Sequence, residues 1–222
     1  MITKTEFGFV SHKKEDNSLK MIKKAIKLAE TKNKKLFRSN PNTFYVELVY
    51  SDKEYDKKTG LKKIKSHRGG YVLKNKIILI SPSVKRGEFD LNSFFTHEVN
   101  HIFYNSIVGK TSPIWLSEGL ATYYMKTYKF DVEVWKRYLK DIHKPEHYLY
   151  YRYIKQRHFR DMDKFFVLSC LVCKYLIKKY GSRVLINLIK EFSKKPEKPN
   201  FYRLFLECYG LTIKEVVKKA IN

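Results

Sequence analysis

The chain has 222 residues, 43% of them hydrophobic, enough to build one domain, or two subdomains around a cleft, without covalent staples. That composition excludes a disordered chain, and the longest nearly apolar stretch, Phe165 to Cys173, is too short to span a bilayer. The formal charge is +24, and of the 46 basic residues 37 are Lys and 9 are Arg, a balance that disfavours a base-reading nucleic-acid protein, which leans on the bidentate guanidinium.

A lysine coat of this kind serves as a solvated surface, or it draws in an anionic partner, nucleic acid or acidic substrate, through its summed field. Residues 1–17 contain no apolar h-region, so no secretory signal is expected. Three cysteines, an odd number, make no disulfide framework. Both features lead us to expect a cytoplasmic protein.

Residues 18–31 predict an amphipathic helix with Leu19, Ile22, Ile26 and Ala29 on one stripe. Residues 43–51, aromatic and β-branched, predict a strand. The charged segment 52–70 predicts a loop, and 71–81 a hairpin or bent strand with Lys74-Asn75 at the turn and Pro82 as terminator. Asp90 is the expected N-cap of a helix over 91–107, with Gly109 ending it. Ser112-Pro113 opens the next helix, 114–128. Further helices are expected from Asp131, from Asp161 or Asp163 as far as Gly181, from Ser182, from Asn200 and from Thr212, where Glu215 completes a capping-box spacing. Strands early and helices late predict an α+β fold: a small N-terminal mixed sheet with helices, residues 1–108, and a helical subdomain, residues 109–222.

Between Leu91 and Ala121 the lysine coat breaks off. One basic residue, Lys110, and two acids, Glu98 and Glu118, fall in that stretch. Such a gap predicts burial, and ionisable groups kept in a buried stretch need partners. His97-Glu98-Val99-Asn100-His101 has the HExxH form. Four residues apart on a helix, His97 and His101 present their imidazoles on one face to a single metal ion. Glu98 lies one residue round, placed to hold a metal-bound water as general base. Phe95, Val99 and Ile102 form the neighbouring apolar stripe that anchors the helix. The competing explanation is a pair of core histidines bonded to backbone carbonyls. Glu118 weighs against it: a glutamate inside the charge gap, 17 residues past His101, requires a cation, and catalytic zinc takes three protein ligands with one position open. Asn100 and Thr122 are candidates to orient the imidazoles. Cys170 and Cys173 have C-x-x-C spacing within an apolar helix and are read as core residues, with a metal site shared with Cys208 as the alternative.

HEVNH followed by PIWLSEGLATYY resembles the gluzincins, the MA-like zinc peptidases that include zinc aminopeptidases and thermolysin. The resemblance covers residues 70–120 well and 160–220 loosely. It implies a zincin-like fold with the HExxH helix at the junction of the two subdomains. It also implies one Zn²⁺ on His97, His101 and Glu118, Glu98 as general base, and a peptide or protein substrate. The hairpin at 71–81 is similar to the edge strand that lines the substrate cleft in that family. A downstream Tyr or His steadies the oxyanion there; Tyr151 is the candidate, with Tyr150, Tyr153 and His158 as alternatives. Residues 70–75 echo the family's amine-binding segment too faintly to carry over aminopeptidase activity. The alternative function is a nucleic-acid-associated or regulatory protein on the same fold, with weak proteolysis or none.

Overall fold

The computed structural model describes residues 1–5, 8–40, 43–60, 70–84, 90–108, 113–125, 131–150, 159–194 and 201–222, the side chains of 159–161 excepted. Tyr151, Tyr153 and His158, the expected helix signals at Gly109, Ser112 and Asn200, and the stretch 126–128 lie outside these residues. The chain divides into two compact units, residues 1–106 and 107–222. The class is α+β, with all the described strands in the first unit.

The first unit holds a five-stranded mixed sheet in the order β1-β2-β3-β5-β4. β1 (Ile2–Lys4) runs antiparallel to β2 (Gly8–Ser11), β3 (Phe44–Val49) is parallel to both β2 and β5 (Lys76–Ile80), and β4 (Gly70–Leu73) is antiparallel to β5. The hairpin expected at 71–81 is β4–β5, with Lys74 in the left-handed region at φ +57° and Leu73 facing Lys76. β1 and β2 were not anticipated; they are short, and only Val10 carries the apolar, β-branched signal on the buried face.

α1 (Leu19–Phe37) connects β2 to β3 and runs a turn and a half past its expected end. Its buried stripe continues from Ile22, Ile26 and Ala29 to Asn33, Leu36 and Phe37. The segment expected to be a loop begins instead with a helix, α2 (Asp52–Thr59). The Ser51 hydroxyl accepts from Glu54 N at 3.1 Å, while the Glu54 carboxylate accepts from Tyr50 N at 2.9 Å, a variant of reciprocal capping. Acids sit in its first turn and lysines in its last, both favourable to the helix dipole. Tyr55, its one buried residue, packs with Val49, Ile78 and Ile80 and against Tyr71, covering that end of the sheet.

α3 (Leu91–Val108) starts at Asp90, whose Oδ1 accepts from the backbone N–H of Asn92 and Ser93. β4 reaches α3 closely: a side chain at Gly70 would overlap the ring of Phe94.

The second unit is helical: α4 (Ile114–Met125), α5 (Val132–Lys140), a 3₁₀ turn (Pro145–Leu149), α6 (Phe159–Tyr180), α7 (Ser182–Lys194), α8 (Phe201–Tyr209) and α9 (Ile213–Ile221). Asp131 caps α5 by accepting from Glu133 N and Val134 N, and Thr212 and Glu215 form the expected capping box of α9. α4 and α9 pack on α6, and Trp115, Phe192, Phe201, Phe205 and Tyr209 build an aromatic cluster around α8. No helix among the described residues is long and apolar enough to cross a membrane.

One buried carboxylate ties the carboxyl ends of the parallel strands together. Asp16, after β2, accepts from the backbone N–H of Ser18 at 2.9 Å and from its hydroxyl, from Ser81 Oγ at 2.6 Å after β5, and from Tyr50 OH at 2.8 Å after β3. Burial works to raise the Asp16 pKa, and the hydrogen bonds from Ser18, Ser81 and Tyr50 outweigh it, leaving the carboxyl below its ordinary value. The ionised form is therefore the stabilising one. Its contribution is complete above the unfolded value near pH 3.9 and fades as pH falls through the lower folded value. We expect Asp16→Asn to cost about 1–3 kcal/mol at pH 7 in urea unfolding, and to weaken the loss of stability below about pH 4. An unchanged midpoint and an unchanged acid limb would contradict this role.

Candidate metal centre

α3 presents two faces. Phe95, Thr96, Val99, Asn100, Ile102, Phe103 and Tyr104 are buried, so the expected anchor stripe is in place. His97, Glu98 and His101 fall on the adjoining, half-buried strip. Two contacts set the rotation of α3 against α1. The rings of Phe37 and Phe103 stack at 5.8 Å. Asn33, 1% exposed, donates through Nδ2 to the carbonyls of Ala29 (2.9 Å) and Thr96 (3.3 Å) and accepts from Asn100 Nδ2 at 2.8 Å. Thr96 immediately precedes His97, and Asn100 immediately precedes His101, so the bonds clasp the helix beside its two imidazoles.

Asn100 therefore spends its amide on α1 rather than on an imidazole, and Thr122 is buried on α4. Asn33 was overlooked because the expected helix stopped short of it. Its signal is present nonetheless: a polar residue falling where the apolar stripe of α1 demands a hydrophobic one.

The Nε2 atoms of His97 and His101 lie 3.1 Å apart, their rings nearly perpendicular at 83°. One ligand atom from each of His97, His101 and Glu118 lies within 4.8 Å of the others, and all three side chains are half-buried. An ion with bonds of about 2.0–2.2 Å and tetrahedral angles spaces its ligand atoms about 3.3 Å apart. The imidazole pair already has nearly that spacing. Two neutral nitrogens and one carboxylate form a hard-to-borderline donor set suited to a divalent metal. Glu98 is not one of the three; it follows His97 on α3 and is half-buried.

Glu118 and its neighbours are held by close packing of α4 on α6. Trp115, Leu116, Gly119, Leu120, Ala121 and Thr122 are all buried, leaving Ser117 and Glu118 on the half-buried side. A Cβ at Gly119 would run into the backbone carbonyl of Ser169 and lie 2.6 Å from Cys173 Sγ. Glycine at that position lets the helix backbones approach.

Of the candidates for oxyanion stabilisation, Tyr150 is described. It ends the 3₁₀ turn, and its ring packs on Tyr202 of α8 at 5.6 Å. Burial, then the charge of Glu146, raises its pKa. Burial likewise pushes the Tyr202 phenol up to about 12. Cys170 and Cys173 are core residues of α6 and join no metal-binding group among the described residues; burial pushes Cys170 up to about 12 and raises Cys173 well above its ordinary value, so both stay as thiols.

No protein-family model matches the chain, and no curated protein matches it in sequence.

We expect Gly119→Ala to lower stability by about 1–3 kcal/mol through overpacking of α4 on α6. Thermal and urea unfolding measure it, and a variant as stable as the parent would contradict the tight approach.

Proposed function

We propose that the chain is a zinc-dependent peptidase of the gluzincin kind, working in the cytoplasm, with His97, His101 and Glu118 as metal ligands and Glu98 as general base. The observation that carries the proposal is the proximity of those three donors, one carboxylate and two imidazoles, whose ligand atoms lie within 4.8 Å of one another. Structural zinc sites fill all four positions with protein, whereas three ligands leave one for solvent or substrate, as hydrolytic sites do. Bound there, zinc would acidify its water toward a pKa of about 7 and polarise a substrate carbonyl.

The rest is assigned to the chain's own groups. Glu98 is one residue from His97, about 100° round the helix, beside the ligand pair rather than in line with it. From that position its carboxylate accepts the proton of the attacking water and returns it to the departing amine. With a divalent ion held there, the Glu118 carboxylate would neutralise one of its two positive charges, and the net single positive charge left would favour an oxyanion. A tyrosine hydroxyl or histidine from 150–158 supplies a further donor to that oxyanion; Tyr151 is the first candidate.

The test pairs metal analysis with turnover. Purified protein should contain about one zinc per chain, and His97→Ala, His101→Ala and Glu118→Gln should each lose it. Glu98→Gln should keep the metal while hydrolysis of a mixed peptide library falls about 10²–10⁴-fold. Protein that takes up no zinc, or a Glu98→Gln variant as active as the parent, would refute the assignment.

A further inference from the structure

The sheet carries a second constellation, independent of the metal ligands. Strand register places Lys4, Phe9, Tyr45 and Lys76 directly opposite one another across β1, β2, β3 and β5, and so on one face of the sheet. The rings of Phe9 and Tyr45 stack at 5.5 Å with only 16° between their planes. Tyr45 is 43% exposed, Phe9 half-buried and Lys4 exposed. α2 covers the other end of this face through Tyr55 but leaves this row open. The next row along the face has Ile2, Ser11 and Glu47, and these three with Phe9, Tyr45 and Lys76 line a depression of about 390 Å³, Lys4 standing outside it. Glu47 is the acid in it, held by Lys58 at 2.6 Å and Lys76 at 3.1 Å, so lysines outnumber it locally.

We propose that this row is a binding platform for single-stranded nucleic acid without sequence preference. Two parallel aromatic rings offer π surfaces on which unpaired bases extend the stack, and a lysine at each end of the row meets the flanking phosphates. The +24 charge of the chain supplies the long-range attraction. An acidic peptide would use the lysines but has no need of the exposed, stacked rings, and a duplex hides the base faces that would use them. The poverty in Arg fits a platform that recognises stacking and charge rather than base edges.

The experiment is fluorescence anisotropy of the full chain with a fluorescein-labelled oligothymidylate, a duplex of equal length and polyglutamate as competitor. The single strand should bind more tightly than the duplex. Tyr45→Ala and Phe9→Leu should each weaken it, Tyr45→Ala about tenfold or more. Lys4→Ala should reduce the slope of log K against log salt by about 0.7. Glu47→Gln, which releases two lysines from their carboxylate, should tighten binding. Circular dichroism and a thermal melt establish that each variant is folded, and peptidase activity, read separately, should be unchanged by Tyr45→Ala. Three results would each overturn the proposal. One is duplex binding equal to single-strand binding with Tyr45→Ala neutral, which makes the lysine coat the cause. Another is displacement by polyglutamate with Tyr45→Ala neutral, which makes the face an acidic-peptide site. The last is no binding at low salt.

Discussion

The rotational setting of α3 is the constraint on which the candidate centre depends. A helix places residues four apart about 40° out of line, so two imidazoles at that spacing converge on one point only when the strip they share faces it. Rotated by one residue, α3 would offer Thr96 and Asn100, or Glu98 and Ile102, instead. Hydrophobic burial of Phe95, Val99, Ile102 and Phe103 selects the face roughly, because apolar packing has no direction. The bonds from Asn33 to the Thr96 carbonyl and from Asn100 to Asn33 are directional, and they define the angle more narrowly. Burying polar groups at that contact is tolerable because Asn33, the Thr96 carbonyl and the Asn100 amide nitrogen pair with one another.

The break in the lysine coat has the same origin. Where α3 and α4 turn most of their surface inward, a lysine would have to bury its ammonium or displace an anchor residue. Gly119 shows how closely packed α4 is: there is no room for a methyl group between it and α6. The half-buried His97, Glu98, His101 and Glu118 are therefore conspicuous as the imidazoles and carboxylates retained beside such surfaces.

Much of this was legible in the sequence, and the misses have physical reasons. HExxH, its anchor stripe, the later glutamate, the β4–β5 hairpin and the caps at Asp90, Asp131 and Thr212 all depend on local spacing, which a sequence displays directly. α2 was misread because charge density suggested a loop, although Ser51 and Glu54 already held the capping signal and Tyr55 supplied an anchor. The strands β1 and β2 were missed because each is too short to establish an alternating pattern, and β2 is secured by its pairing with β3, a partner more than thirty residues away. The aromatic row across the sheet was invisible for the same reason: Lys4, Phe9, Tyr45 and Lys76 become neighbours only through strand register. Asn33 belongs to the same class, since its partners Thr96 and Asn100 are far along the chain.

The cage around Asp16 has a bearing on what this sheet can hold. In open sheets with parallel strands, the crevice beyond the carboxyl ends is the customary seat for phosphate-bearing cofactors, received by free backbone amides. Here the chain has filled that seat with an anion of its own. The Ser18 amide and the hydroxyls of Ser18, Ser81 and Tyr50 are all directed at the Asp16 carboxylate. An incoming phosphate would find these donors already engaged and a carboxylate in its place.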